Sequence, residues 1–197
     1  DGNTAVGGLA LDSNTTGNYN VGVGYNALQS ITTGSQNVAV GYQALNTSTA
    51  SHSTAVGYNA LVSNTTGTEN TAVGCNALDA NTTASYNTAV GHDSMTNTTT
   101  GFSNAALGQD TLRDNTTGDG NTACGYSALL KNTTADNNTA VGRVAMEQNT
   151  TGFSNTAVGG SALNANTTGS YNVAVGKDAL AANTTESNNC AIGVNAM

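Results

Sequence analysis

The chain has 197 residues, 4 Lys+Arg against 12 Asp+Glu, and a formal net charge of −8. So little positive charge excludes the clustered Lys and Arg that a nucleic-acid partner requires. No apolar run approaches the length of a membrane-spanning helix, about 18 residues or more, so no membrane insertion is expected. The abundance of Asn, Thr, Ser and Gly would suit a disordered chain, but a disordered chain has no reason to keep its glycines in register.

That register is a tandem repeat. With the Asn of N-T-A-V-G as position 1, units begin at Asn3, Asn20, Asn37, Ser53, Asn70, Asn87, Asn104, Asn121, Asn138, Asn155, Asn172 and Asn189. They follow a 17-residue period, as from Asn3 to Asn20, and the unit starting at Asn37 is one residue shorter than the others. Residues 1–197 therefore form a single repeat domain of eleven complete units (3–188) and a partial twelfth (189–197), with consensus N-T-A-V-G-x-x-A-L-x-x-N-T-T-G-x-x. Self-similarity of this kind is the signature of a solenoid.

Each unit predicts one coil of an all-β, parallel β-solenoid. Thr, Asn, Gly and Val are weak helix formers. T-A-V-G and the following A-L segment are short, rich in small and β-branched residues, and bounded by Gly and Asn, which predicts strands. Each strand would pair in parallel with its equivalent one unit on, about 4.8 Å away, giving a rod of about 50 Å. The unit length accommodates two or three strands per coil.

Recurrence within the chain marks the positions under constraint. Position 5 is glycine throughout: Gly7, Gly24, Gly41, Gly57, Gly74, Gly91, Gly108, Gly125, Gly142, Gly159, Gly176 and Gly193. Such a glycine answers either a positive φ or a backbone approach too close for a Cβ. Position 3 is Ala or Gly, position 4 mostly Val, position 8 mostly Ala, and position 9 Leu or Met. These are the expected core. Position 1 is Asn in all units but that of Ser53, which predicts a stacked asparagine ladder. One Val and one Leu per coil is a thin core against the entropy of ordering a whole unit. Burial between chains is therefore expected, with the small residues at positions 3 and 5 allowing close lateral packing. The implied partner is the chain itself, as a lateral trimer, a head-to-tail filament, or both. Asp1 and Gly2 correspond to positions 16 and 17, and the chain stops at position 9. The expectation is that it continues into further repeats or into the next subunit.

The N-T-T of positions 12–14 matches the acceptor pattern for N-glycosylation. Candidate sites are Asn14, Asn64, Asn81, Asn115, Asn132, Asn149, Asn166 and Asn183, with Asn46 and Asn97 supplying the pattern in two irregular units; Asn137-Asn138-Thr139 adds one more match at an irregular place. Covalent glycans on every coil would coat one face. The competing reading is that N-T-T is turn and ladder chemistry; where Ile31 replaces the asparagine, Thr32 and Thr33 remain. A third reading takes the rank Thr15, Thr65, Thr82, Thr116, Thr133, Thr150, Thr167 and Thr184 as an ice-binding face. Adjacent Thr residues in a strand point to opposite sides, which disfavours it.

Aromatic residues occupy position 6 (Tyr25, Tyr42, Tyr58, Tyr126), position 16 (Phe102, Phe153) and position 17 (Tyr19, Tyr86, Tyr171), all outside the expected core. Cys75, Cys124 and Cys190 fall in coils three and four apart, about 14 and 19 Å at the strand spacing, too far for an intrachain disulfide. His52 and His92 sit at variable positions without a repeated nucleophile or acid, and no P-loop, HExxH or CxxC occurs. No enzyme activity, metal or cofactor is expected.

The segments TAVGYNAL (54–61) and NVAVGYQAL (37–45) resemble the repeats of bacteriophage tail fibres and the S-V-A-I-G repeats in the head of trimeric autotransporter adhesins. The resemblance covers essentially the whole chain. It implies a left-handed, trimeric parallel β-roll displayed on a surface and used for attachment. This chain departs from the adhesin pattern in its longer unit with an inserted N-T-T. Two roles follow: a structural component of an extracellular fibre or filament, glycan-coated and without catalytic activity, or an attachment shaft of the tail-fibre or adhesin kind. Either places it outside the cell, on a cell surface or on a virion.

Overall fold

The structure, a computed structural model, describes residues 2–197; Asp1 lies outside them. Among the described residues there are twelve strands, from β1 (Thr4–Val6) to β12 (Cys190–Ile192), and no helix. They form one parallel sheet whose spatial order is the chain order. Each strand is three residues long and pairs in register with its equivalent one unit away, as in Thr71↔Thr88, Ala72↔Ala89 and Val73↔Val90. The chain is thus a parallel β-solenoid with one coil per repeat unit, as the recurrence predicted, and the short unit starting at Asn37 is accommodated without a break in the sheet.

Only one strand forms per coil, at positions 2–4. The A-L segment is not a strand. It belongs to a turn in which positions 7 and 9 take the left-handed conformation, for example Asn59 at φ 54° and Leu61 at φ 52°. Position 17 is also left-handed, as in Tyr86 at φ 63°. Position 7 carries mostly Asn, Asp, Ser or Gln, of which Asn and Asp tolerate this region best. Position 9 carries Leu or Met, which do not favour it. What holds Leu there is burial together with a hydrogen bond: the Leu28 N–H donates to the Ala44 carbonyl of the next coil (3.0 Å), and Leu28 is fully buried.

Period-two alternation sorts the strand residues. Position 3 faces in, and its alanines are fully buried from Ala39 to Ala174. Positions 2 and 4 face out. The expectation that position 4 belongs to the core is therefore corrected: Val6, Leu107, Val141, Val158 and Ile192 are exposed. The apolar core is narrower than the sequence suggests, made of two Ala and one Leu or Met per coil. The small residues at positions 3 and 5 serve packing within the solenoid.

Both explanations offered for the position-5 glycine hold. The twelve glycines have φ between +121° and +145°. A Cβ on Gly74 would also collide with the carbonyl of Gly91 in the next coil. Coil stacking and backbone conformation thus impose the same residue.

The left-handed turns yield a test. Val144 occupies position 7 at φ 52°, a β-branched residue where that conformation costs about 1–2 kcal/mol. Val144→Asn is expected to raise the thermal unfolding midpoint, measured by circular dichroism, while leaving the folded spectrum unchanged.

Candidate functional site

The chemistry of this chain is distributed along the rod in columns, one side chain per coil. Two columns are asparagine ladders inside the solenoid. At position 1, each side-chain oxygen accepts the backbone N–H of the next position-1 residue, as from Asn37 to Asn20 (3.0 Å) and from Asn87 to Asn70 (3.0 Å). In the complete coils each Asn Nδ2 donates to the position-15 carbonyl of its own coil, as Asn121 does to Ala135 (2.8 Å). The ladder predicted at position 1 is present, with its rungs closed chiefly through backbone N–H groups.

Position 12 forms a second ladder by direct amide-to-amide bonds. Asn132, Asn149 and Asn166 each donate Nδ2 to the Oδ1 of the preceding member (2.9, 3.0 and 2.9 Å). The same Nδ2 groups also donate to position-15 carbonyls, as Asn132 does to Ala135 (3.0 Å). One carbonyl thus receives both ladders. Asn64, Asn81, Asn115, Asn132, Asn149 and Asn166 are fully buried.

These bonds decide how the candidate glycosylation residues are used in the folded rod. A glycan is attached to Nδ2, and the position-12 Nδ2 groups are enclosed and bonded. In the end coils, Asn14 donates to the Gly17 carbonyl (3.0 Å) and Asn183 to Asn166 Oδ1 (3.1 Å). These eight amides are structural, and a sugar on any of the six buried ones would open the core. Asn46 donates to the Asn26 carbonyl (3.1 Å) and Gln29 Oε1 (3.2 Å) while half-buried. Asn97 alone of the ten is exposed, one position before the ladder. The register shift that preserves the sequon at Asn97 places Thr98 in the ladder, fully buried.

The threonine rank at position 13 is likewise consumed. Thr116 Oγ1 donates to the Thr133 carbonyl (3.0 Å) and Thr150 Oγ1 to the Thr167 carbonyl (3.0 Å). From Thr15 to Thr167 its hydroxyls are tied to the neighbouring coil, so it does not form the free hydroxyl rank that an ice face needs; the threonines of position 14 are exposed throughout. The shortened coil lacks only that exposed residue, and Asn37 still reaches the Ala50 carbonyl (2.9 Å). A further ladder escaped sequence reasoning. Position-16 side chains accept the backbone N–H of the preceding coil, as Ser85 from Thr68 (3.0 Å) and Asp119 from Phe102 (2.9 Å). The recurrence of Ser and Asp at position 16 was its signal.

Outside, positions 2 and 4 form the sheet face. Along its margin at position 6, the exposed rings of Tyr25, Tyr42 and Tyr58 stack at 5.8 and 5.3 Å between centroids, nearly parallel. Farther along the same column Arg143 lies over the Tyr126 ring at 5.8 Å. Phe153 and Tyr171 meet edge to face at 5.0 Å. The thiols of Cys75, Cys124 and Cys190 are free and lie in separate coils. Among the described residues no cavity opens in the rod, no group of three or more His, Cys, Asp or Glu is placed to hold a metal ion, and no helix is long and apolar enough to cross a membrane. Comparison with protein-family models, with curated proteins and with solved structures gave no match.

Two tests follow from the ladders and the charges. At Thr98 the position-12 ladder is broken, and Thr98 Oγ1 and Asn81 Oδ1 are both buried without a hydrogen-bond partner. Thr98→Asn restores a donor to Asn81 and an acceptor for Asn115. It is expected to stabilise the rod by about 1–3 kcal/mol, the usual penalty of buried unpaired polar groups, read from denaturant unfolding.

The second concerns Asp79 at position 10. Burial raises its pKa above the ordinary carboxylate value, as does the nearby charge of Asp93, against a hydrogen bond from the Ala80 backbone that lowers it. A carboxyl group whose folded pKa is raised contributes stability below its unfolded pKa and loses that contribution as pH rises through the folded value. Asp79→Asn is therefore expected to be more stable than the parent at pH 7. The difference should close as pH falls through the carboxylate range, in unfolding curves collected at several pH values.

Proposed function

We propose that this protein is a structural rod, the repeating element of an extracellular fibre or filament, and that it does its work without catalysis. The observation that supports this reading is the unbroken register. Strand N–H groups and position-13 hydroxyls pass to the neighbouring coil by equivalent bonds along the rod, joined by ladder amides wherever position 12 is asparagine in successive coils. Such a body extends by translation, resists bending because every coil is bonded to the next, and presents long columns instead of a cleft. The interior is occupied by side chains that hold coils together, which suits a stiff element more than a reaction vessel. Surface decoration with N-linked sugar is confined in this reading to Asn97 and to Asn137, the exposed asparagine of Asn137-Asn138-Thr139.

A second reading, an attachment shaft, draws on the exposed aromatic rings at positions 6, 16 and 17, since such rings pack well at wet interfaces and against sugar rings.

Antibodies raised against the folded chain provide the test. Immunogold electron microscopy of the producing cells is expected to label extracellular fibres along their length. Label confined to the cell interior would overturn the fibre proposal, and label restricted to fibre tips would favour the attachment reading.

A further inference from the structure

We infer that the outer face of the sheet, the columns at positions 2 and 4, is an interface that packs against the same face of a second copy of this chain. This inference rests on the structural-rod reading and names the partner through which the rod would thicken into a fibre.

The first ground is charge. None of the charged residues occupies position 2 or 4 in any coil; those columns hold only Thr, Val, Ala, Leu, Ile and Cys. Every Asp, Glu, Lys and Arg among the described residues lies on another part of the coil. Solvated sheet faces and edges normally carry charge to discourage association, and this face carries none.

The second ground is apolar exposure in a body with so small a core. Val6, Leu107, Val141, Val158, Val173 and Ile192 retain 36–73% of their surface. With a rod of about 50 Å and a strip of about 10–15 Å, the face covers on the order of 500–800 Å². That approaches the roughly 800 Å² per partner of a standard interface and reaches or exceeds the roughly 300–600 Å² of the largest patch on an ordinary monomer. The Tyr25–Tyr42–Tyr58 stack along the position-6 margin extends it.

The third ground selects the occupant. The face is a set of ridges repeating at the strand spacing of about 4.8 Å, with sheets packing about 10 Å apart. A partner that fills the grooves along the full length needs ridges of equal pitch, as two facing β-sheets with matched side-chain rows have. A second copy has that pitch by construction. A charged partner finds no counter-charge here.

The test uses the full chain. Wild-type protein is expected to sediment as a multiple of the 19.5 kDa chain. The double variant Val73→Lys/Val90→Lys, altered only on outward-facing strand positions, should sediment as the monomer with an unchanged circular dichroism spectrum. A short bis-maleimide then locates the contact. With Cys75→Ser and Cys190→Ser, Cys124 at position 4 is the sole thiol; a second protein adds Val73→Cys. Cross-links between two copies of Cys124 would mean copies running the same way, and cross-links joining Val73→Cys to Cys124 of another copy would mean opposite directions. Either places the interface on this face. As control, Asp79→Cys in a background with all three cysteines changed to Ser should remain uncross-linked. A monomeric wild type, unchanged association of the lysine variant, or cross-linking only at Asp79→Cys would overturn the inference. Fibres labelled in the cell but built from monomers joined end to end would retire this interface alone, whereas a dimer never found in fibres would retire the structural reading alone.

Discussion

The position-15 carbonyl receives two buried asparagine amides, and the rest of the coil is arranged around that junction. In the eighth coil Asn121 and Asn132 both donate to Ala135, at 2.8 and 3.0 Å. A carbonyl has two lone pairs, and a buried one left short of partners is costly. The amides that satisfy it have oxygens of their own to satisfy, and a coil one step away is the available source of donors. The asparagine columns thus make each coil incomplete without its neighbour. A coil with only two Ala and one Leu to bury would not stand alone, and the ladders explain why it need not.

Stacking at the strand spacing imposes the remaining features. The Gly74 backbone comes so close to the Gly91 carbonyl that a side chain cannot intervene. The chain must close its circuit within one repeat unit around a three-residue strand, and it does so through left-handed residues at positions 7, 9 and 17. Leu61 at φ 52° is intrinsically unfavourable, and burial with a cross-coil hydrogen bond holds it. Interior space is taken by polar ladders, so the larger strand residues are displaced outward. The uncharged Val and Thr face is a consequence of how the interior is filled.

Much of this was legible in the chain. The repeat period, the parallel stacking, the glycine column and the position-1 ladder follow from recurrence, because a residue repeated at one address in every coil must meet its own copy. Legibility ended where direction mattered. Asn132 in Asn-Thr-Thr satisfies a glycosylation pattern and a ladder equally well, and only its burial separates them. Val73 and Ala72 are both apolar strand residues; their order in the alternation was ambiguous because the A-L segment suggested a second strand that does not form. The position-16 ladder was hidden because Ser85 and Asp119 look like ordinary turn residues until the next coil is placed above them.

What the sequence determined by itself is the translational order: a solenoid, its repeat length, and the positions that recur along it. Equivalent residues at equal intervals can satisfy one another only by stacking, so periodicity suffices for that conclusion. What only the tertiary structure decided is which side of the backbone each column occupies. Inside and outside are properties of the closed coil, set by left-handed turns at residues such as Leu61 and Met95 whose identities do not announce them. That closure places the asparagine amides in the core and the valines on the surface, and it gives the rod an interior that holds its coils together and an uncharged sheet face.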